Sequence, residues 1–197
     1  MGISWSHKLT DGYAIRISDT GGFIINSEMN IDDIYLTQSG HGTIILGEIK
    51  ILQNIRFEDE RWLDNASYAL PEDQVMYYKA FLQGNKISSV PVLELVHLDA
   101  STTLSNNRNL KAAYGMARNI TIFWDRFIFK PKRNKLMPLL GISRRIIFTL
   151  MTSFGKGLLR RDFNLFKAYC HGYIDGIMTI RSKAYNQLPT INSRPHD

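Results

Sequence analysis

Thiols are the scarcest resource of this 197-residue chain, which holds a single cysteine, Cys170. One cysteine cannot close an internal disulfide, so the fold must rest on burial and hydrogen bonding, and a reducing, cytoplasmic setting follows. The opening residues, Met1-Gly2-Ile3-Ser4-Trp5-Ser6-His7-Lys8, lack the apolar core of a secretory signal. Gly2 and Ser6 meet only the loosest myristoylation pattern, which chance supplies often. Long apolar runs are scarce too. Leu136–Phe154 is interrupted by Pro138, Arg144 and Arg145, whereas a bilayer crossing needs about 20 mostly apolar residues. Internal repeats and low-complexity tracts are absent.

Acids are scarce in the second half. Residues 105–197 hold 4 Asp+Glu against 17 Lys+Arg, and residues 1–104 hold 14 against 7, so the formal net charge of +6 divides into +13 and −7. The acidic half suits a metal-dependent or catalytic pocket. The basic half suits an anionic surface, such as phospholipid headgroups or nucleic acid, unless its cations only solvate helix faces. With 44% hydrophobic and 21% charged residues, the chain can bury a core as one compact domain, with or without an appendage.

Periodicity assigns the elements. Tyr13–Ser18 and Gly22–Asn26 alternate around the turn residues Asp19-Thr20-Gly21-Gly22, which predicts a hairpin. Thr43–Leu46 reads as a buried strand entered through Ser39-Gly40-His41-Gly42, and Glu48–Asn54 as a short helix. Arg56–Trp62 is a polar connection with aromatic anchors. A helix is predicted over Pro71–Gln83, with Pro71 at its start, Glu72 and Asp73 complementing its positive end, and Gly84 stopping it. Lys86–Val96 reads as a strand that Pro91 bends or keeps at an edge.

Helical spacing takes over beyond Leu104, over Asn109–Phe129, Leu139–Phe154 and Asp162–Ile180, the last two separated by Gly155-Lys156-Gly157. Leu139, Leu140, Ile142, Ile146, Ile147 and Leu150 flank Arg144-Arg145. Lys130, Lys132, Arg133, Lys135, Lys156, Arg160 and Arg161 stand at the ends, the layout of an interfacial amphipathic segment. Asn186–Asp197 reads as a frayed tail.

Sugar transfer from a nucleotide to a hydroxyl needs a carboxylate to take the hydroxyl proton and positive charge to hold the departing diphosphate. Asp73, beside Glu72, can be that carboxylate, although a pair of acids is also ordinary at a helix start. His97, closing an apolar strand, could bind a divalent ion, although a lone histidine is more often structural. Asp32-Asp33 reads as loop.

The order of these pieces carries a resemblance. Gly40-His41-Gly42-Thr43-Ile44-Ile45-Leu46, Phe57-Glu58-Asp59-Glu60, Glu72-Asp73-Gln74-Val75-Met76, Gly84-Asn85-Lys86-Ile87, Val90-Pro91 and Val96-His97 resemble the second half of a family-2 glycosyltransferase. That family has a glycine-led strand, a Phe-Asp-Glu-like segment, a Glu-Asp helix start, a Gly-Tyr-Lys-Ile-like turn and a Val-Pro strand ending in His. Tyr114-Gly115-Met116-Ala117-Arg118-Asn119 resembles the Tyr-x-x-x-Arg-Asn element of polysaccharide-building members, and Gly172-Tyr173-Ile174-Asp175-Gly176 their closing Gly-x-x-Asp-Gly. The resemblance runs from about Tyr13 to Ile180. This chain departs from it in the extra acid of Glu58-Asp59-Glu60 and in Val75, where many relatives carry another acid.

The resemblance implies a partial GT-A-like α/β sheet with flanking helices, followed by an all-α amphipathic tail. It implies Asp73 as catalytic base with Glu72 beside it, and Gly40, Gly42, Thr43 and Arg118 at the substrate. His97 would help hold a divalent metal, manganese or magnesium, or the diphosphate. The family's nucleotide-binding half has no room before Tyr13, so the expectation is a truncated or split chain: residues 1–104 as the acceptor side, 105–185 as a basic membrane-proximal region, and 186–197 as a disordered tail. A separate donor-binding half would be a partner. The expected function is inverting, metal-dependent transfer from a nucleotide-sugar to a lipid-linked or polysaccharide acceptor in bacterial surface polysaccharide synthesis. Its place would be peripheral, at an anionic membrane surface on the inner face of the plasma membrane, with no nucleic acid. The alternatives are a non-catalytic membrane-associated partner of such an enzyme and a basic nucleic-acid binding module.

Overall fold

The computed structural model describes residues 4–30, 32–40, 46–64, 71–90 and 106–191. It is a mixed α/β fold, as its sequence implies. Five short strands, β1 (Ser4–His7), β2 (Tyr13–Ile17), β3 (Phe23–Asn26), β4 (Tyr35–Thr37) and β5 (Ser88–Ser89), form one sheet in the order β1-β3-β2-β4-β5. The predicted hairpin is its centre. β2 and β3 pair antiparallel with Ile15 opposite Ile25 and Ile17 opposite Phe23. Gly21 turns the chain at φ +70°, a conformation that glycine adopts without a Cβ penalty. β1 runs parallel to β3 and β4 parallel to β2, while β5 closes the far edge antiparallel to β4.

The helices are α1 (Ile49–Asn54), α2 (Glu72–Leu82), α3 (Asn106–Phe123), α4 (Leu136–Arg160), α5 (Asn164–Ile180) and α6 (Lys183–Asn186). α2 begins where Glu72 and Asp73 meet the unpaired amides of a first turn, and it ends at Gly84, whose φ of +84° lets its N–H reach the Phe81 carbonyl. The connection after α1 forms two 3-10 turns, Phe57–Asp59 and Arg61–Leu63. Trp62 anchors it in the core, while Phe57 stays exposed.

α3 continues directly into a π-helical segment, Trp124–Phe129, closed by Lys130 N–H to the Asp125 carbonyl at 2.9 Å. The wider turn brings Trp124, Asp125, Arg126, Phe127 and Ile128 all inward. α5 packs along α3 through glycines. A Cβ on Gly172 would lie 2.4 Å from the Tyr114 carbonyl oxygen, and one on Gly176 would lie 2.9 Å from that of Arg118. The Gly-x-x-Asp-Gly element is therefore a backbone contact between two helices.

One core serves both charge halves. Trp62, Leu63, Val75 and Leu82 from the acidic half pack with Ile120, Phe123, Phe127, Tyr173 and Tyr185 from the basic half. Three expectations need correction. Gly155-Lys156-Gly157 does not divide two helices, because α4 runs to Arg160, and Gly157 is small so that Phe163 can pack 2.8 Å from where its Cβ would stand. Pro138 does not precede α4. It sits in its first turn, where a missing N–H costs nothing. The tail does not fray from Asn186: Leu188 and Ile191 pack against the core, and Arg126 Nη2 donates to the Pro189 carbonyl at 3.0 Å. Of the two strands expected around the site, Thr43–Ile45 and Pro91–Val96 lie outside the described residues. Among the described residues no helix is long and apolar enough to cross a membrane.

Candidate functional site

The first turn of α2 is fixed before any ligand arrives. Gln74, buried, donates from Nε2 to the Gly21 carbonyl at 2.7 Å, so the helix start is tied to the β2–β3 turn. Val75 is fully buried behind it. Asp73, Met76, Tyr77 and Ala80, spaced by three and four, then share one helix face.

Two polar atoms near this face are buried and have no hydrogen-bond partner: Glu72 Oε2 and Ser39 Oγ. Buried polar groups are nearly always paired, so an orphan is either a cost carried for nothing or a place where something binds. Burial pushes the Glu72 carboxyl above the ordinary glutamate value of 4.5. A backbone hydrogen bond partly offsets that rise, and the charge of Asp73 adds to it. Burial and the Asp73 charge likewise raise the Tyr77 hydroxyl.

Gly40 follows Ser39 and meets the same helix. A Cβ there would lie 3.2 Å from the Tyr77 ring, so the backbone passes closer to the aromatic face than a larger residue would easily permit. Beside Tyr77 a cavity of about 190 Å³ opens between α1 and α2, lined by Ile51, Ile55, Met76, Tyr77, Lys86 and Ile87 among others. An aromatic ring and an apolar pocket, on the helix that carries Glu72 and Asp73 at its start, are what a sugar or its carrier would meet.

The structure thus brings Gly40 to the helix of Glu72 and Asp73. Gly42, Thr43 and His97 lie outside the described residues. Arg118 is engaged elsewhere. It is only 4% exposed, and Nη1 donates to the Trp62 carbonyl at 2.8 Å and to Asn119 Oδ1 at 2.7 Å. It lines a different cavity of about 540 Å³, with Arg61, Thr179, Ser182 and Tyr185. Its motif neighbour Tyr114 donates its hydroxyl to Asp175 Oδ2 at 2.8 Å, so the two tail motifs bind one another across α3 and α5.

Glu60, last of the Phe57-Glu58-Asp59-Glu60 acids, is the polar centre of the core. Lys79 Nζ donates to Oε1 at 2.8 Å, Arg126 Nη2 to Oε1 at 2.9 Å, Arg126 Nε to Oε2 at 2.6 Å and Trp62 Nε1 to Oε2 at 2.6 Å. Desolvation would raise this carboxyl, but the hydrogen bonds and charges of Arg126 and Lys79 outweigh it and hold Glu60 below 4.5. No sequence pattern singled out Lys79 or Arg126 for this role. Tyr77 could have been found, since it stands four residues beyond Asp73. Among the described residues no group of three His, Cys, Asp or Glu could hold a metal ion. No family model, curated protein or solved structure matches this chain.

Proposed function

We propose that this chain transfers a sugar from a nucleotide-sugar to a lipid-linked or polysaccharide acceptor at the inner face of the plasma membrane, with inversion. The observation that carries the reading is the buried, unpartnered Glu72 carboxylate oxygen beside Asp73, at the start of a helix whose next turn meets Gly40 and a small cavity at Tyr77. The acceptor hydroxyl oxygen attacks the anomeric carbon, the bond from that carbon to the phosphate oxygen breaks, and its electrons leave with the nucleoside diphosphate. Asp73 takes the hydroxyl proton as that bond forms. Glu72, poorly solvated, gains a hydrogen bond from an acceptor hydroxyl that it lacks without one, which orients the nucleophile. Lys86 on the cavity wall offers a cation to the diphosphate. A divalent ion would supply further charge neutralisation there. Among the described residues no ligand set fits one.

The test is incorporation of labelled sugar from UDP-, GDP- and dTDP-sugars, with manganese, into the lipid and polysaccharide fractions of membranes containing the chain. Asp73→Asn should lower the rate about 10²–10⁴-fold, the usual share of a positioned general base. Transfer that survives both Asp73→Asn and Glu72→Gln, or the absence of transfer from every donor, refutes the reading.

A further inference from the structure

The largest anomaly of the surface lies away from this site. α4 is amphipathic toward the core through Ile142, but it is apolar on its outer side as well. Leu136, Leu140, Ile147, Met151 and Leu158 are all more than half exposed. At 100° per residue they fall within about 60° of arc, one straight stripe along a helix about 37 Å long. Phe148 and Leu159 widen it, the latter 88% exposed, and α5 turns out Ile174 and Met178. Monomeric domains rarely leave so much contiguous apolar surface to water.

Charge decides what covers it. Residues 126–161 contain ten Lys and Arg and no Asp or Glu. Several are engaged within the fold: Arg126 binds Glu60, Arg145 is buried with Nη1 donating to the Thr20 carbonyl at 3.2 Å, Lys130 and Lys132 pair with Asp125 and Asp19, and Lys135 Nζ donates to the Lys130 carbonyl at 2.8 Å. Arg144 is exposed at the stripe's edge and Lys156 elsewhere on α4, while Arg133, Arg160 and Arg161, with the paired but exposed Lys130, Lys132 and Lys135, stand beyond its ends. A second copy laid stripe to stripe would bring cation against cation with no acid on either segment to answer it. A lipid surface answers both halves of the pattern, with acyl chains for the stripe and anionic headgroups for its ends.

We infer that the outer face of α4, with Leu140, Ile147 and Met151 at its centre, is a docking surface for an anionic lipid bilayer on which the helix lies in the plane of the headgroups. This deepens the membrane placement proposed above and rests on it, but not on sugar transfer. The stripe inserts and the terminal cations hold the headgroups. Attachment therefore needs apolar burial and charge together.

The experiment is co-sedimentation of the full chain with vesicles of phosphatidylcholine alone or with 30% phosphatidylglycerol. Binding to the anionic vesicles should exceed binding to the neutral ones at least tenfold. Ile147→Asp with Met151→Asp should lower it at least tenfold, and Arg160→Glu with Arg161→Glu should erase the preference for anionic lipid. All four positions are exposed, and an unchanged circular dichroism spectrum and melting temperature show that each variant is folded. Three results overturn the inference: equal or no sedimentation with the two vesicles; a dimer in sedimentation velocity that Met151→Asp dissolves, without vesicle binding; or salt-dependent RNA binding that the aspartate variants leave intact while vesicles are ignored. Vesicle binding by an Asp73→Asn variant separates a failure here from a failure of the transfer reading.

Discussion

Replacing Glu60 by Gln tests how the acidic and basic halves are held in one core. The substitution keeps the side chain's size and leaves an amide oxygen for Trp62, but it removes the carboxylate charge that, among the described residues, pairs with two buried cations. Lys79 and Arg126 have side chains only 5% and 8% exposed, and the carboxylate between them is fully covered. Breaking a buried pair by removing one partner costs about 3–5 kcal/mol, because the remaining charge stays desolvated. That is a large share of the ~5–15 kcal/mol that holds a domain together. At about 2–4 °C per kcal/mol for a chain of this size, melting should fall by about 6–20 °C. Urea unfolding followed by tryptophan fluorescence measures the loss, since Trp62 donates to this carboxylate. The pH dependence has a definite sign. A carboxyl held below its unfolded value contributes stability that is complete above about 4.5 and is lost as pH falls through the folded value, so Glu60→Gln should flatten the acid side of the wild-type stability curve. Converting all three residues to Leu and Met should restore most of the loss, as apolar replacements of buried ion clusters do. A Glu60→Gln loss below about 1 kcal/mol, the scale of an exposed pair, would mean that the cations reach water and that the network does not bind the halves together.

Glu72→Gln should act in opposite directions on stability and on transfer. The raised carboxyl favours the protonated form in the fold, so its contribution is greatest below 4.5 and declines as pH rises through the folded value; the amide should therefore raise the melting temperature at neutral pH while lowering the transfer rate. Transfer should fall with pH around that raised value in the wild type, and a pH–rate profile in which Glu72→Gln keeps the same acid limb would count against the carboxyl's part in it. Gly172→Ala places a Cβ against the Tyr114 carbonyl and Ala117, and separating α3 from α5 should cost about 1–3 kcal/mol by urea unfolding. Tyr185→Phe removes a 2.6 Å hydrogen bond to the buried Asp125 and should cost about 1–3 kcal/mol, a loss that Lys130, 3.4 Å from the same carboxylate, offsets only in part.

What the sequence revealed and what it withheld divide along one line. Hairpin alternation, the acids and glycine that bracket α2, and the three-and-four spacing of α3 and α5 are local signals, and each element stands where its residues placed it. Side-chain partners across the chain leave no such trace. Glu60 reads like any surface acid until Arg126 meets it from 66 residues away. Arg144 and Arg145 look equivalent, yet one faces outward and the other is buried against the β2–β3 turn. Gly155 and Gly157 read as a break because glycine weakens helices. The contact of Gly157 with Phe163 gives one of them a packing reason that periodicity cannot report. The candidate site divides the same way: Glu72 and Asp73 were legible as a pair, while the orphaned oxygen and the approach of Gly40 to Tyr77 appear only when β4's exit meets α2.

That β2–β3 turn links the proposed chemistry to the proposed membrane face. Three successive carbonyls are each taken by a different element: Asp19 by Trp124 Nε1 at 3.1 Å, Thr20 by Arg145 Nη1 at 3.2 Å, and Gly21 by Gln74 Nε2 at 2.7 Å. Lys132, just ahead of α4, adds an ion pair with the Asp19 carboxylate. A four-residue turn thereby anchors the acid-bearing start of α2 and the inner face of α4. The first is where an acceptor hydroxyl would be deprotonated, and the opposite side of the second is where the bilayer would lie. Loops alone would let those two surfaces drift, whereas hydrogen bonds to one turn hold the acids at a set distance from α4, and so from a bilayer lying on its outer face as proposed. A lipid-linked acceptor needs that constancy, because its hydroxyl stands at a height fixed by its own headgroup.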